Sequence, residues 1–248
     1  MDMRDKVVLV TGGAKRVGAA ICRGLHAAGA SVAVHYRHAE SDALVLQNEL
    51  NSLRPDSAAV FQADLLSMNA LPKLVNAVIE KMGRLDALVN NASSFYPTPL
   101  TQANQQDWDD LMGSNLKAPL FLAQAAADEL RHRHGCIVNI ADIHAERPLH
   151  GYLLYNVAKA GLVALTRGLA VEMSPQVRVN AVSPGPILWP EAEAWSDEEQ
   201  RRKIIAHTLL KRSGEPEDIA KTVVFLIQGA PYITGQVIAV DGGRSINF

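Results

Sequence analysis

The chain has 248 residues, of which 48% are hydrophobic and 20% are charged, and its formal net charge is −2. This composition excludes an intrinsically disordered chain and a basic nucleic-acid-binding protein, and two cysteines in apolar contexts, Cys22 and Cys136, argue against a disulfide framework. Because no apolar targeting core and no membrane-length apolar run is found, we expect a cytoplasmic protein that contacts neither nucleic acid nor membrane.

The first predicted element is a strand over residues 7–10, which a glycine-rich turn and a helical pattern follow at once. Gly12 and Gly18 frame that turn. Glycine lets the main chain approach a pyrophosphate closely, and the helix N-terminus offers it unpaired N–H groups. The spacing departs from Gly-x-Gly-x-x-Gly, so a glycine-rich turn without a ligand remains an alternative on this segment alone.

The second predicted strand carries no acid at its end, where a carboxylate would bind a ribose 2′-hydroxyl. The chain offers His35, Arg37 and His38 there instead. Lys15 and Arg16 of the glycine-rich turn can add charge. A cluster that can be cationic suits a 2′-phosphate, so we expect NADPH rather than NADH as the cofactor. The alternative is a solvated polar loop.

Candidate site residues follow several of the later predicted strands, and they include polar side chains, an aromatic ring and a Pro-Gly pair. Asp64 can accept a hydrogen bond from an adenine amino group, or simply start a turn. Phe95 can pack on a flat aromatic substrate, or anchor its loop in the core. Asn115 lies between two helical segments as a helix break or a relay position. Pro184 and Gly185 are expected to fix an extended loop beside the nicotinamide.

Predicted strands alternate with predicted helices along the whole chain. Strands are expected at residues 7–10, 31–36, 58–62, 86–90, 136–140, 176–182 and 236–240. This βαβ winding predicts an α/β fold: a Rossmann-type doubly wound parallel sheet of about seven strands with helices on both faces, in one domain over residues 1–248. Residues 187–212 are predicted to form a substrate loop, or lid, with Trp189 near its start.

A tyrosine and a lysine lie four residues apart in one predicted helix, after the fifth strand. Tyr155 and Lys159 therefore share one helix face. A free phenol has a pKa of about 10, and a nearby ammonium is expected to lower it toward values useful for acid/base work. Asp142 lies at the end of the preceding strand, where parallel sheets present reactive groups. The alternative is a surface pair on an amphipathic helix.

Taken together, these motifs resemble the short-chain dehydrogenase/reductase family over nearly the whole chain. The matching residues are Thr11, Gly12, Arg16, Gly18, Asp64, Leu65, Asn90, Asn91, Ala92, Asn115, Tyr155, Lys159, Pro184, Gly185 and Asp241-Gly242-Gly243. The resemblance implies a homotetramer. It also implies cofactor contacts from Gly12, Lys15, Arg16, Val17, Gly18, His35, Tyr36, Arg37, His38, Asp64, Leu65, Asn91, Ala92, Ser93, Asn115, Tyr155, Lys159, Pro184 and Gly185.

Two departures from the family pattern resemble the pteridine reductases in particular. Asp142 stands where most members have serine, and Arg16 stands where most have glycine. The segments 35–38 and 91–100 are also similar to those enzymes. The resemblance implies NADPH-dependent reduction of a dihydropterin such as dihydrobiopterin, dihydromonapterin or dihydrofolate.

The resemblance also implies residue roles. Tyr155 would deliver a proton that Asp142 relays, and Lys159 would bind the nicotinamide ribose. The substrate would contact Arg16, Ser93, Phe95, Asp142, Tyr155, Leu188 and Trp189. No metal is expected. The alternatives are a carbonyl reductase of 3-oxoacyl thioesters or small ketones, and a catalytically silent NADP-binding regulator, against which the intact Tyr155/Lys159 pair argues.

Overall fold

The computed structural model describes residues 3–189 and 197–247. Its centre is one sheet of seven parallel strands in the order β3-β2-β1-β4-β5-β6-β7. This confirms the predicted α/β, doubly wound fold. The strands are β1 Val7–Val10, β2 Ser31–Tyr36, β3 Ala58–Gln62, β4 Ala87–Asn90, β5 Cys136–Ile140, β6 Arg178–Pro184 and β7 Val237–Val240.

Helices cover both faces of the sheet because the strands are apolar on both sides. Val8 and Val10 pack toward one helical layer, and Val7 and Leu9 pack toward the other. The first layer contains α1, α2 and α8, and the second contains α3, α5 and α6. The helices are α1 Arg16–Ala27, α2 Glu40–Leu53, α3 Ala70–Met82, α4 Gln105–Met112, α5 Ala118–Arg133, α6 Leu153–Glu172, α7 Glu198–Ala206 and α8 Pro216–Gln228.

Some predicted boundaries were wrong. Strand β6 begins and ends two residues later than the predicted 176–182. The segment before α5 is a π-helical turn, Gly113–Lys117, which the sequence pattern did not indicate. Helix α7 lies inside the predicted lid at 187–212, while residues 190–196 of that lid lie outside the described part of the chain.

The sheet places the predicted site residues near the carboxyl ends of its strands. Strand β1 pairs with β2 on one side and with β4 on the other, so the strand order reverses there. In such sheets ligands bind beyond the carboxyl ends of the strands at this switch point. Gly12, Asn91, Asp142 and Gly185 all lie within two residues of such strand ends.

Both cysteines are buried free thiols, as expected. Within residues 3–189 and 197–247, no helix has the length and apolar character needed to cross a membrane.

Candidate active site

The glycine-rich turn after β1 is fastened to the loop after β4. The Thr11 Oγ1 atom accepts hydrogen bonds from the backbone N–H groups of Asn91 and Ala92, at 2.9 and 3.0 Å. The Asn91 side chain donates to the carbonyls of Thr11 and Gly12. A Cβ added at Gly18 would lie 2.1 Å from the Gly12 carbonyl oxygen, so only glycine permits this approach.

A cavity of about 400 Å³ opens beside this turn. Most of the residues predicted to bind the cofactor line it: Gly12, Lys15, Arg16, Val17, Gly18, His35, Arg37, Asp64, Leu65, Asn91, Ala92 and Ser93. Tyr36 packs instead in the core and its hydroxyl donates to Glu40 at 3.4 Å. His38 is exposed on the surface.

The expectation that His35 contributes positive charge is corrected by the structure. His35 is buried; its Nδ1 atom accepts from the Gly12 N–H at 3.0 Å, so Nε2 carries the proton and donates to the Ala63 carbonyl at 3.1 Å. Burial lowers the pKa of His35 to about 4, despite the opposing effects of that carbonyl and of Asp64. The ring is therefore neutral near pH 7. Arg37, which pairs with Asp64 at 3.0 Å, remains a cation at the end of this strand.

Asn115 lies in the π-helical turn and is buried. Its Oδ1 atom accepts from the Ser93 hydroxyl at 2.6 Å, and its Nδ2 atom donates to the carbonyls of Ser94 and Leu111, both at 3.0 Å. The widened turn thus lets one side chain bind a helix carbonyl and the loop after β4 together. π-Bulges are often found at functional sites.

Asp142 and Tyr155 are in direct contact. The Tyr155 hydroxyl donates to Asp142 Oδ2 at 2.7 Å, which is short enough for a charge-assisted hydrogen bond. The other carboxylate oxygen accepts from the His144 N–H at 2.8 Å and caps a single 3₁₀ turn, Ile143–Ala145. Lys159, one turn along α6 from Tyr155, donates to the Ile140 carbonyl at 2.8 Å.

The protonation of this pair differs from the expectation. Burial raises the pKa of Tyr155 well above its usual value, and the Asp142 carboxylate raises it further. The predicted net lowering by Lys159 was wrong, because burial of the phenol and the Asp142 carboxylate determine the direction of the shift, although the Lys159 ammonium lies 5.6 Å from the ring centroid. Burial lowers the pKa of Lys159 to about 8, while Asp142 opposes that effect. At neutral pH the phenol is therefore protonated, which is the form that donates a proton.

A second cavity of about 440 Å³ adjoins the first and contains this pair. All seven predicted substrate residues line it: Arg16, Ser93, Phe95, Asp142, Tyr155, Leu188 and Trp189. Gly185 also lines it, and a Cβ there would lie 2.6 Å from Asp241. Further lining residues are Ile143, His144, Leu149, Pro186, Ile187, Ile204 and Arg244. Ile187 and Ile204 belong to the predicted substrate loop 187–212. No site role was predicted for Ile143, His144, Leu149 or Arg244, and of these Arg244 had a sequence signal, because it is a charged residue after a strand and two glycines.

The two cavities share Arg16, Val17 and Ser93. Arg16 has a φ of 53°, in the left-handed region that favours glycine. Its Nη2 atom donates to the Trp189 carbonyl at 3.0 Å and approaches the Leu188 carbonyl at 3.4 Å. Arg16 therefore joins the glycine-rich turn to the segment after β6.

The aromatic wall of the second cavity is rigid. Phe95 stacks on Tyr152 with ring centroids 4.6 Å apart, and meets Tyr155 edge-on at 4.7 Å. Such pairs hold each ring in a fixed orientation. Among the described residues, no group of three or more His, Cys, Asp and Glu side chains is arranged to hold a metal ion. The site combines a protonated phenol, a carboxylate and an aromatic ring beside a glycine-rich turn.

Comparison with known proteins finds reductases and a structure crystallised with NADPH among the similar proteins. A family model described as enoyl-(acyl carrier protein) reductase matches residues 12–245. Pteridine reductase 1 of Leishmania tarentolae is 40% identical, over 97% of this chain and 96% of that protein. A 3-oxoacyl-[acyl-carrier-protein] reductase of Staphylococcus aureus is 35% identical, over 96% and 97%. A blue fluorescent protein from a metagenomic library, crystallised with NADPH, superposes with a TM-score of 0.91 at 36% identity, over 98% and 99%.

Proposed function

Because the chain belongs to the short-chain dehydrogenase/reductase family, we propose that it uses NADPH to reduce a 7,8-dihydropterin to the tetrahydro form. The observation that carries this proposal is the 2.7 Å hydrogen bond between Tyr155 and the Asp142 carboxylate. A serine at position 142 would only hydrogen-bond a carbonyl oxygen. A carboxylate can instead take a proton from solvent and pass it on, which suits the protonation of a ring nitrogen.

The first cavity suits NADPH. Gly12 and Gly18 leave room for the main chain to approach a pyrophosphate, and the N-terminus of α1 faces it. Arg37 and Lys15 supply positive charge at the rim for a 2′-phosphate. The neighbour crystallised with NADPH supports the same cofactor here.

When bound, NADPH supplies the hydride that adds to C6 of the C6=N5 bond. Tyr155 donates a proton to N5, and its raised pKa keeps it protonated until that step. Asp142, which is partly exposed, restores the phenol proton from solvent. Lys159 offers a buried ammonium one helical turn away, which would bind the nicotinamide ribose.

The second cavity holds the pterin. Phe95, fixed by its two aromatic neighbours, packs against one face of the ring, and Arg16 and Ser93 bind its polar edge. Leu188 and Trp189, at the start of the predicted lid 187–212, also line this cavity. The single domain over residues 1–248, assembly as a homotetramer and a cytoplasmic location remain predictions.

A carbonyl reductase is the second candidate, favoured by the 35% identical 3-oxoacyl reductase. Both candidates can be tested in one experiment, by following NADPH oxidation with dihydrobiopterin, dihydrofolate and a 3-oxoacyl thioester in parallel. We expect turnover of a pterin at a kcat/KM at least tenfold above that of the thioester. Absence of turnover with both pterins would reject the leading proposal, and efficient thioester reduction alone would replace it with the second.

A further inference from the structure

Arg244 lies in the substrate cavity on a firmly built turn. It begins a 3₁₀ turn, Arg244–Ile246, directly after Gly242 and Gly243, both of which have positive φ. The Asp241 carboxylate accepts from the N–H groups of Gly243 and Ser245, at 2.9 and 2.6 Å. The main chain at Arg244 is therefore fixed, and its side chain lines the cavity that contains Asp142 and Tyr155.

The guanidinium of Arg244 has spare hydrogen-bonding capacity. Its Nη1 atom donates to the Ile204 carbonyl at 2.6 Å, and a guanidinium has five N–H donors. Over residues 3–189 and 197–247, no carboxylate forms an ion pair with it; Asp241 is occupied by backbone N–H groups. Burial lowers the pKa of Arg244, and Asp241 only partly opposes this. A partly exposed guanidinium without a carboxylate partner, lining a cavity, can pair with an anionic group of a ligand.

Apolar side chains share this cavity with Arg244. Ile143, Leu149, Ile187 and Ile204 line it together with the catalytic pair. An aromatic ring on the substrate's side chain suits such walls, and a carboxylate beyond that ring suits a planar guanidinium, which binds carboxylates in a bidentate manner. A short neutral polyol tail would leave the guanidinium unpaired.

Resting on the proposed function, we propose that Arg244 is a specificity-determining residue that binds a carboxylate on the side chain of the dihydropterin. The preferred substrate is then a pterin with an aromatic, carboxylate-bearing tail, the dihydrofolate class, and pterins with a neutral tail are turned over less efficiently.

The test compares dihydrofolate and dihydrobiopterin in four proteins: the wild type, Arg244→Gln, Arg244→Lys and Arg202→Gln. Arg202 is the matched control, because it is an exposed arginine on α7, the helix that carries Ile204. In Arg244→Gln we expect the KM for dihydrofolate to rise about 10- to 100-fold, with that for dihydrobiopterin and the Kd for NADPH within threefold of wild type. Arg244→Lys should recover part of the loss, and Arg202→Gln should resemble the wild type.

The outcomes separate this inference from the proposed function. Normal dihydrobiopterin turnover, with an unchanged dihydrofolate KM in Arg244→Gln, would overturn the inference and leave the function intact. An equal rise in KM for both pterins would also overturn it, because that result indicates a structural role through the Ile204 contact. No turnover of either pterin by the wild type would overturn both.

Discussion

Replacing Asp142 by serine removes one contact and keeps another. The substitution deletes the carboxylate oxygen that accepts from Tyr155 at 2.7 Å. A serine hydroxyl can still cap the 3₁₀ turn by accepting from the His144 N–H, because serine and aspartate cap turns about equally well. The variant should therefore fold with a Tm close to that of the wild type, which thermal denaturation will check.

The expected kinetic effect follows from the lost hydrogen bond. A hydrogen bond to a charged group contributes about 1.5–3 kcal/mol, so kcat/KM for the dihydropterin should fall about 10- to 150-fold. The Asp142 charge also raises the pKa of both Tyr155 and Lys159. Its removal lowers both pKa values, so the alkaline loss of activity should begin at lower pH in Asp142→Ser than in the wild type.

The assay is NADPH oxidation with dihydrobiopterin across the pH range, with Tyr155→Phe as the reference for complete loss of the proton donor. Removing a general acid typically costs about 10²- to 10⁴-fold, so Asp142→Ser should lie between the wild type and Tyr155→Phe. A kcat/KM within threefold of wild type, together with an unmoved pH profile, would refute the proposed relay. Improved activity on the 3-oxoacyl thioester would favour the carbonyl reductase.

Three further predictions concern neighbouring residues. The pKa of His35 in the folded protein, about 4, lies below its value of about 6.5 in the unfolded chain. The free energy of unfolding should therefore fall by about 3 kcal/mol as the pH drops from 6.5 to 4. Denaturant unfolding at pH 7 and pH 4.5 should show this loss in the wild type but not in His35→Gln, and equal losses in the two proteins would contradict the prediction. The Arg16→Gly variant should keep the Tm of the wild type, because relief of about 1 kcal/mol of left-handed backbone strain offsets the larger entropy of the unfolded chain. Its KM for the pterin should rise about tenfold, because a charge-assisted hydrogen bond is lost. An unchanged KM in steady-state kinetics would count against the role of Arg16. Lys159 loses its charge as the pH rises through about 8. Fluorescence titration should therefore show weaker NADPH binding at pH 9 than at pH 7 in the wild type, whereas Lys159→Met should bind NADPH weakly at both pH values. The same change of affinity with pH in the two proteins would argue against a contact between Lys159 and the cofactor.

Local patterns predicted the parts of this protein that local chemistry determines. A β-branched run, a glycine-rich turn and a helical pattern fix the element around Gly12, and helix periodicity places Tyr155 and Lys159 on one face. These inferences needed only the spacing of residues along one or two elements. The contact between Asp142 and Tyr155 was instead implied by the family resemblance.

Other features depend on which segments meet in space. The neutral state of His35 depends on its burial, and its tautomer depends on contacts with Gly12 and Ala63, which pattern analysis does not bring together. The raised pKa of Tyr155 reflects burial, and a spacing of four residues to Lys159 carries no information on depth. Arg244 lies 89 positions after Tyr155 in the chain, and only the folded structure shows that both residues line one cavity.

The side chain of Arg16 belongs to two cavities at once and holds two carbonyls after β6. A group that contacts both ligands would make the binding of each depend on the other. If the dinucleotide favours the position of Arg16 that holds those carbonyls, it raises the affinity for the second ligand, and the second ligand must raise the affinity for the dinucleotide by the same factor. If it does so, the arginine at position 16 makes the two adjacent sites one cooperative unit.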